Sequence, residues 1–150
     1  VSLENIFVAS DGATARLADF GMSTDITTSP LAKPLPQGKM QYKSPQSASS
    51  LDSHDTTASD IFSLGVCVYT MLLNDFPFES ASVQDPRWRR ISEMSLGAFE
   101  KHVCLLFEQN VQDGMCVDTC VLKKYARLIW WMLRSEESER GKMSYLLSLQ

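Results

Sequence analysis

Apolar and polar residues alternate in two short runs near the start of the chain. Ile6 and Val8 interleave with Phe7 and Ala9, and Ala13, Ala15 and Leu17 alternate beyond an Asp11-Gly12 pair. Alternation on both sides of Asp-Gly predicts a β-hairpin over residues 6–18. The pattern then dissolves. Residues 22–59 hold Ser23, Thr24, Thr27, Thr28 and Ser29, then Pro30, Pro34, Pro36 and Pro45, then Ser/Thr/Asp clusters. That composition predicts a long loop, and ordered loops of such length are commonly functional.

Helical spacing takes over from about Thr57. Ile61, Phe62, Leu64, Val66, Val68, Tyr69, Met71, Leu72 and Leu73 cover every face of a helix over 57–73. A helix apolar all round is buried all round. Thr56 or Thr57 is placed to cap it, Asp60 sits near its start, and Asn74-Asp75-Phe76-Pro77 ends it. Residues 86–96 and 97–109 read as one or two further helices, with Phe99, Val103 and Leu106 at helical spacing, before Asp113-Gly114 breaks the pattern. Residues 119–133 place Val121, Tyr125, Leu128, Ile129 and Met132 on one stripe, and a last short helix is expected over about 143–149. The order is a hairpin, a long loop, then helices: a mainly α chain with no internal repeat.

Composition narrows the function classes. At 150 residues, with 44% hydrophobic and 21% charged, the chain suits one folded domain over 1–150 and excludes disorder along most of its length. A net charge of -4 offers no electrostatic footprint for nucleic acid or an anionic membrane. The longest nearly apolar run, Ile61 to Leu73, falls short of the roughly 17–25 residues of a membrane span. No basic-then-apolar segment opens the chain, so nothing supports secretion. Cys67, Cys104, Cys116 and Cys120 form no CxxC pair, which fits mostly buried free thiols in a reducing, intracellular setting, cytoplasmic or nuclear. Zinc at His102 and these cysteines is disfavoured, because the spacings make no paired knuckles. Trp130 and Trp131 read as packing residues. Arg87, Arg89 and Arg90 around Trp88 read as a solvated basic face, with a substrate-docking surface as the alternative.

One pair of polar residues carries candidate chemistry. The turn at Asp11-Gly12 lies midway between Asn5 and Asp19, so these two face each other at the open end of the hairpin, next to Gly21. An amide oxygen beside a carboxylate suits a hard cation such as Mg²⁺, which takes few protein ligands and completes its octahedron with phosphates and water. Strand-end capping is the ordinary role for such a pair, so the neighbouring residues must decide.

Leu3-Glu4-Asn5-Ile6-Phe7-Val8 followed by Ala18-Asp19-Phe20-Gly21 resembles the second half of the protein-kinase catalytic loop and its DFG motif. Gly38-Lys39-Met40-Gln41-Tyr42-Lys43-Ser44-Pro45-Gln46 is similar to the end of a kinase activation segment. Ser59-Asp60-Ile61-Phe62-Ser63-Leu64-Gly65-Val66 is similar to the start of the family's central buried helix. Phe76-Pro77-Phe78, and Leu128 to Leu133 followed by Arg140, fit the later part of the same lobe. The signals stand in family order over essentially the whole chain.

The resemblance implies a kinase-like C-lobe within an α+β family fold: one hairpin, a long activation loop and a helical bundle. It implies ATP and Mg²⁺, with Asn5 on the second metal ion and Asp19 on the bridging one. Phe7 would floor the adenine pocket, Ala18 would line it, and Glu4 would sit near the ribose through its backbone. Phe20 would pack under the ATP site, with Gly21 completing the motif. Asp60 would anchor the catalytic-loop backbone. Residues 22–46 would form the activation segment, with Ser23, Thr24, Thr27, Thr28 and Ser29 as candidate phosphorylation sites. The implied reaction is phosphoryl transfer to Ser/Thr of a protein substrate.

Residue 1 is Val, and the chain is expected to begin in mid-protein. The family's His-Arg-Asp, with its base Asp, is expected immediately before Val1. A smaller lobe bearing the Gly-rich loop and the ATP-pairing Lys is expected as a partner within the same domain. The 150 residues alone are therefore expected to be inactive, and to expose apolar surface on the 57–73 helix. Ser2 stands where Ser/Thr kinases usually place a Lys that meets the transferring phosphate, and Lys39 replaces the usual Thr. Gln46 stands where the motif ends in Glu, the usual partner of a residue at Arg140. Gln in that place predicts a weaker tether, and Gln46→Glu is expected to raise the melting temperature. These departures leave a second reading open, a pseudokinase or kinase-derived interaction module without transfer activity.

Overall fold

The computed structural model describes residues 1–27, 31–32, 38–49, 54–110 and 117–140. The helix expected over 143–149, the break at Asp113-Gly114 and Cys116 lie outside the described residues. β1 (Ile6–Val8) pairs antiparallel with β2 (Ala15–Leu17), in the register Ile6 to Leu17, Phe7 to Arg16 and Val8 to Ala15. Asp11 shapes the turn: its Oδ1 accepts the N–H groups of Ala13 and Thr14, both at 2.9 Å, and Gly12 takes φ +67°. A short side-chain acceptor and a residue free to adopt positive φ are what a tight turn needs.

The long loop carries more order than its composition predicts. β3 (Leu31–Ala32) pairs antiparallel with β4 (His54–Asp55), and a 3-10 turn spans Met40–Tyr42. The short helix α1 (Pro45–Ala48) begins after Ser44, whose hydroxyl accepts the Ser47 N–H at 3.2 Å, with Pro45 in its first turn.

α2 spans Thr56–Leu73. Its cap is Asp55, neither Thr56 nor Thr57: the Asp55 carboxylate accepts the N–H groups of Thr57 at 2.8 Å and Ala58 at 3.1 Å. A carboxylate satisfies those donors and also sits favourably at the positive end of the helix dipole. Asn74, with φ 53°, ends the helix in the left-handed conformation. By length and composition α2 could cross a bilayer; half of that stretch is buried inside the fold.

α3 (Pro86–Ser92) and α4 (Leu96–Asn110) are separate helices, and α5 (Thr119–Met132) packs against both α4 and α2. The apolar exposure expected on α2 is confined to one stripe, Leu64, Val68, Met71 and Leu72. Ile61, Phe62, Val66, Cys67, Tyr69 and Leu73 are buried, Leu64, Val68 and Leu72 are half-buried, and Met71 is exposed. Apolar exposure is most concentrated on the hairpin and just after it, at Phe7, Val8, Leu17, Phe20, Met22 and Ile26. At one end of the core Phe62, Phe78 and Trp88 form a three-ring cluster, with Phe78 and Trp88 edge-to-face at 5.0 Å. Trp88 is thus the buried anchor of the basic cluster, while Arg87 pairs with Asp75 at 2.6 Å and with the Phe76 carbonyl. The Trp130 indole N–H donates to the Met94 carbonyl at 3.0 Å, and the Arg134 guanidinium lies 4.4 Å from its ring. Cys67 is buried, and burial pushes its thiol up to about 11, whereas Cys120 is exposed.

The inward stripe of α5 is not the one its hydrophobic spacing suggests. Leu122, Ala126, Ile129 and Met132 are buried, whereas Val121 and Tyr125 are exposed. The reason lies at Gly65. A Cβ there would stand 2.7 Å from Met132 Cβ and 3.2 Å from Leu133 Cδ2, so α2 and α5 meet at backbone range. That contact sets the rotation of α5.

Asp85 caps α3 and folds the preceding loop. Its carboxylate accepts four backbone N–H groups, from Glu79 at 2.8 Å, Ser80 at 3.0 Å, Arg87 at 2.8 Å and Trp88 at 3.1 Å. Burial pushes this acid upward, but the four N–H donors outweigh it and hold the carboxyl below the usual aspartate range.

Gly65→Ala is expected to cost about 1–3 kcal/mol in urea denaturation through overpacking, despite the helix-propensity gain of about 1 kcal/mol. Gly97→Ala on α4, where an added Cβ meets nothing within 4 Å, is expected to be neutral or stabilising. For Asp85→Ala the expected loss at pH 7 is about 1.5–3 kcal/mol. Because the native pKa is depressed, that contribution is present above the ordinary aspartate pKa. It fades as pH falls through the native value, so wild type and variant should converge in acid melts below about pH 4.

Candidate functional site

The candidate site sits at the open end of the hairpin. Leu3–Asn5 forms a 3-10 turn running straight into β1, and the Asn5 carbonyl accepts the Ala18 N–H at 2.8 Å. The register therefore sets Asn5 opposite Ala18, and Asp19 lies one residue further along rather than directly across. Its centre falls between Asp11 and Gly12, not on Gly12, which accounts for the offset.

Asp19 adopts φ 60°, in the left-handed region that non-glycine residues seldom occupy. Its Oδ1 accepts the Gly21 N–H at a long 3.3 Å, and Oδ2 has no partner among the described residues. Asp19 is exposed and Asn5 half-buried. A solvent-facing carboxylate with an open oxygen, next to a residue bearing an amide oxygen, matches the donor chemistry of a sparsely ligated Mg²⁺. Among the described residues no cluster of three or more His, Cys, Asp or Glu could hold a metal by itself. Ala18 is half-buried, while Phe7 is exposed on β1 opposite Arg16. Phe20, expected to pack beneath the nucleotide, is 64% exposed, because no described residue covers this end of the hairpin. Its carbonyl accepts the Ser23 N–H at 3.0 Å and the Ser23 hydroxyl at 2.7 Å.

Glu4 is engaged through its side chain. Its carboxylate receives the Lys39 ammonium, and that hydrogen bond is the first cause holding the Glu4 acid below its ordinary value. Three residues on, Tyr42 is buried: its hydroxyl accepts the Leu3 N–H at 3.5 Å, its carbonyl accepts the Ser63 hydroxyl at 2.7 Å, and its ring meets Phe76 edge-on at 5.5 Å. Burial pushes the Tyr42 phenol up. Lys39 and Tyr42 thus pin the 39–42 segment to the Leu3–Asn5 turn, and Tyr42 pins both to α2. Sequence spacing did not point to this clamp. Asp60, exposed on α2, places Oδ1 3.7 Å from the nitrogen of Val1.

At the other end of α1, the Arg140 guanidinium is 5% exposed and lies 5.0 Å from the Phe62 ring. It donates to Gln46 Oε1 at 2.5 Å, and to the carbonyls of Arg134 at 2.9 Å, Ser135 at 3.0 Å and Ala58 at 3.2 Å. Burial pulls it down to about 10, so it remains a cation at neutral pH. Gln46 in turn donates Nε2 to the Ser135 carbonyl at 2.7 Å, a bond that a Glu could not make.

The protein kinase domain model matches residues 1–149, and the chain belongs to the protein kinase family. It is 24% identical over 125 residues to a probable serine/threonine-protein kinase PknB of Lactococcus lactis, covering 83% of this chain and 18% of that protein. It is 28% identical over 86 residues to a Raf homolog serine/threonine-protein kinase of Caenorhabditis elegans, covering 54% of this chain and 11% of that protein. The chain spans less than a fifth of the length of either relative.

Gln46→Ala is expected to lower stability by about 1.5–3 kcal/mol in urea titration, since it strips the buried cation of one acceptor. Gln46→Glu adds a charge opposite Arg140 but sets an oxygen against the Ser135 carbonyl. Its rise in melting temperature should therefore be smaller than an ion pair alone would give.

Proposed function

We propose that residues 1–150 are the C-lobe part of a serine/threonine-protein kinase domain, and that the full-length protein transfers the γ-phosphoryl group of Mg-ATP to Ser or Thr of a protein substrate. One observation carries this reading: Asn5 and Asp19 stand at one end of a hairpin, in a chain whose family match runs from residue 1 to 149. The Ser/Thr preference is supported by the two relatives named above.

In this reading Asp19 and Asn5 hold Mg²⁺, which supplies charge neutralisation of the phosphates when bound. Asp19 presents an open carboxylate oxygen from a left-handed turn. Ala18 and Phe7 offer apolar surface for the adenine, and Glu4 lies near the ribose through its backbone. Asp60 steadies the backbone at Val1, and Gln46 with Arg140 holds the end of the activation segment. Transfer breaks the bond from the γ-phosphorus to the bridging oxygen of ATP and forms one to the substrate hydroxyl, whose proton passes to a carboxylate base. In this reading the full-length protein supplies that base, the phosphate-pairing lysine and the smaller lobe. The intact protein works in a reducing cytoplasmic or nuclear setting.

The test is Mg²⁺-dependent ATP binding by the full-length protein, followed by mass spectrometry of a phosphorylated protein mixture. Asp19→Asn should weaken Mg²⁺-dependent ATP binding at least about tenfold, or about 1.4 kcal/mol. New phosphate should appear on Ser and Thr. Nucleotide binding without transfer would favour the pseudokinase reading, and no Mg²⁺-dependent binding at all would overturn the proposal.

A further inference from the structure

The Lys39–Glu4 contact joins residues that are 35 positions apart, and it places a cation against the turn that carries Asn5. Gly38, with φ +96°, redirects the chain immediately before Lys39. The buried Tyr42 then fixes the segment, through its hydroxyl on the Leu3 N–H and its carbonyl on Ser63. The Lys39 backbone is thereby held beside residues 2–5. Lys39 thus brings its charge to the side chain of Glu4, in the turn that carries Asn5.

We propose that Lys39 meets the transferring phosphate in this kinase, in place of the lysine that position 2 lacks. The inference rests on the phosphoryl-transfer reading above and adds to it one phosphate-binding residue. The cation has moved across a contact: Ser2 stands where a lysine is expected in the turn, and Lys39 stands where a threonine is expected in the segment clamped to that turn.

The energetics allow the exchange of partners. The Lys39 and Glu4 side chains are 57% and 54% exposed, and an ion pair in that setting is weak. It parks the ammonium without locking it. A terminal phosphoryl group offers more negative charge and more acceptor oxygens than one carboxylate, and a lysine head with three donors on a flexible stem can turn to it. Glu4, once released, is hydrated at no great cost because it is already exposed.

The test separates ATP from ADP, which differ by the phosphate at issue, and needs no turnover. In the full-length protein, Mg-ATP and Mg-ADP affinities are measured by displacement of a fluorescent nucleotide. Lys39→Thr should lower ATP affinity about tenfold relative to ADP. Lys39→Arg should keep the preference, and adding Ser2→Lys to Lys39→Thr should restore it. Melting without nucleotide checks that each variant is folded. An unchanged ATP-to-ADP ratio in Lys39→Thr, or failure of Ser2→Lys to restore a lost ratio, overturns the inference while leaving the kinase reading standing. A wild-type protein that binds neither nucleotide brings down the kinase reading, and this inference with it.

Discussion

A helix that carries apolar side chains on almost every face has to be covered on almost every face, and the architecture follows from meeting that demand on α2. α4 and α5 close two sides. Phe78 and Trp88 close a third around Phe62, and the Met40–Tyr42 turn covers part of what is left. The closest of these contacts is possible only because residue 65 has no side chain, so that Met132 and Leu133 reach the backbone of α2. Burial of large apolar side chains is the main favourable term available to a domain of this size, and here most of it is gathered around one element.

The candidate site is attached to that core rather than built inside it. Tyr42 touches the site turn with its hydroxyl and α2 with its backbone carbonyl, so one buried residue transmits the position of the core to residues 3–5. Asn5, Asp19 and Lys39 then project from short turns with exposed or half-buried side chains. Reactive groups held on loops over a rigid scaffold are a common arrangement, because the scaffold supplies position and the loop supplies access. The hairpin keeps its own shape through local bonds from Asp11.

Features encoded by neighbours in sequence were legible, and features encoded at a distance were not. The hairpin announced itself through Asp11-Gly12 and flanking alternation, and α2 through sheer apolar density. The phase of α5 was misread because Val121 and Tyr125 count as strongly as Ile129 in a hydrophobic pattern, while the close approach that fixes the rotation involves a glycine on another helix. β3 and β4 are too short to leave a periodic signal, and their pairing closes a long loop. The Asn5–Asp19 neighbourhood could be placed from the turn, yet the one-residue offset depends on register that only hydrogen bonding reveals. The Gln46 and Arg140 contact was readable through family resemblance alone. Lys39 on Glu4 had no local signature at all.

The set of atoms around Arg140 has one property that its geometry does not advertise. Among the described residues, every oxygen accepting from the guanidinium belongs to an amide, either the side chain of Gln46 or the peptide carbonyls of Ala58, Arg134 and Ser135. None of these takes up a proton in the range where proteins stay folded, and acidification only keeps the guanidinium charged. A carboxylate at position 46 would have given the end of this segment an acid-labile latch. The amide leaves position 46 itself without a titrating group, so any acid response of this latch has to come from the carboxylates of Glu137, Glu136 and Asp55, whose charges favour the guanidinium.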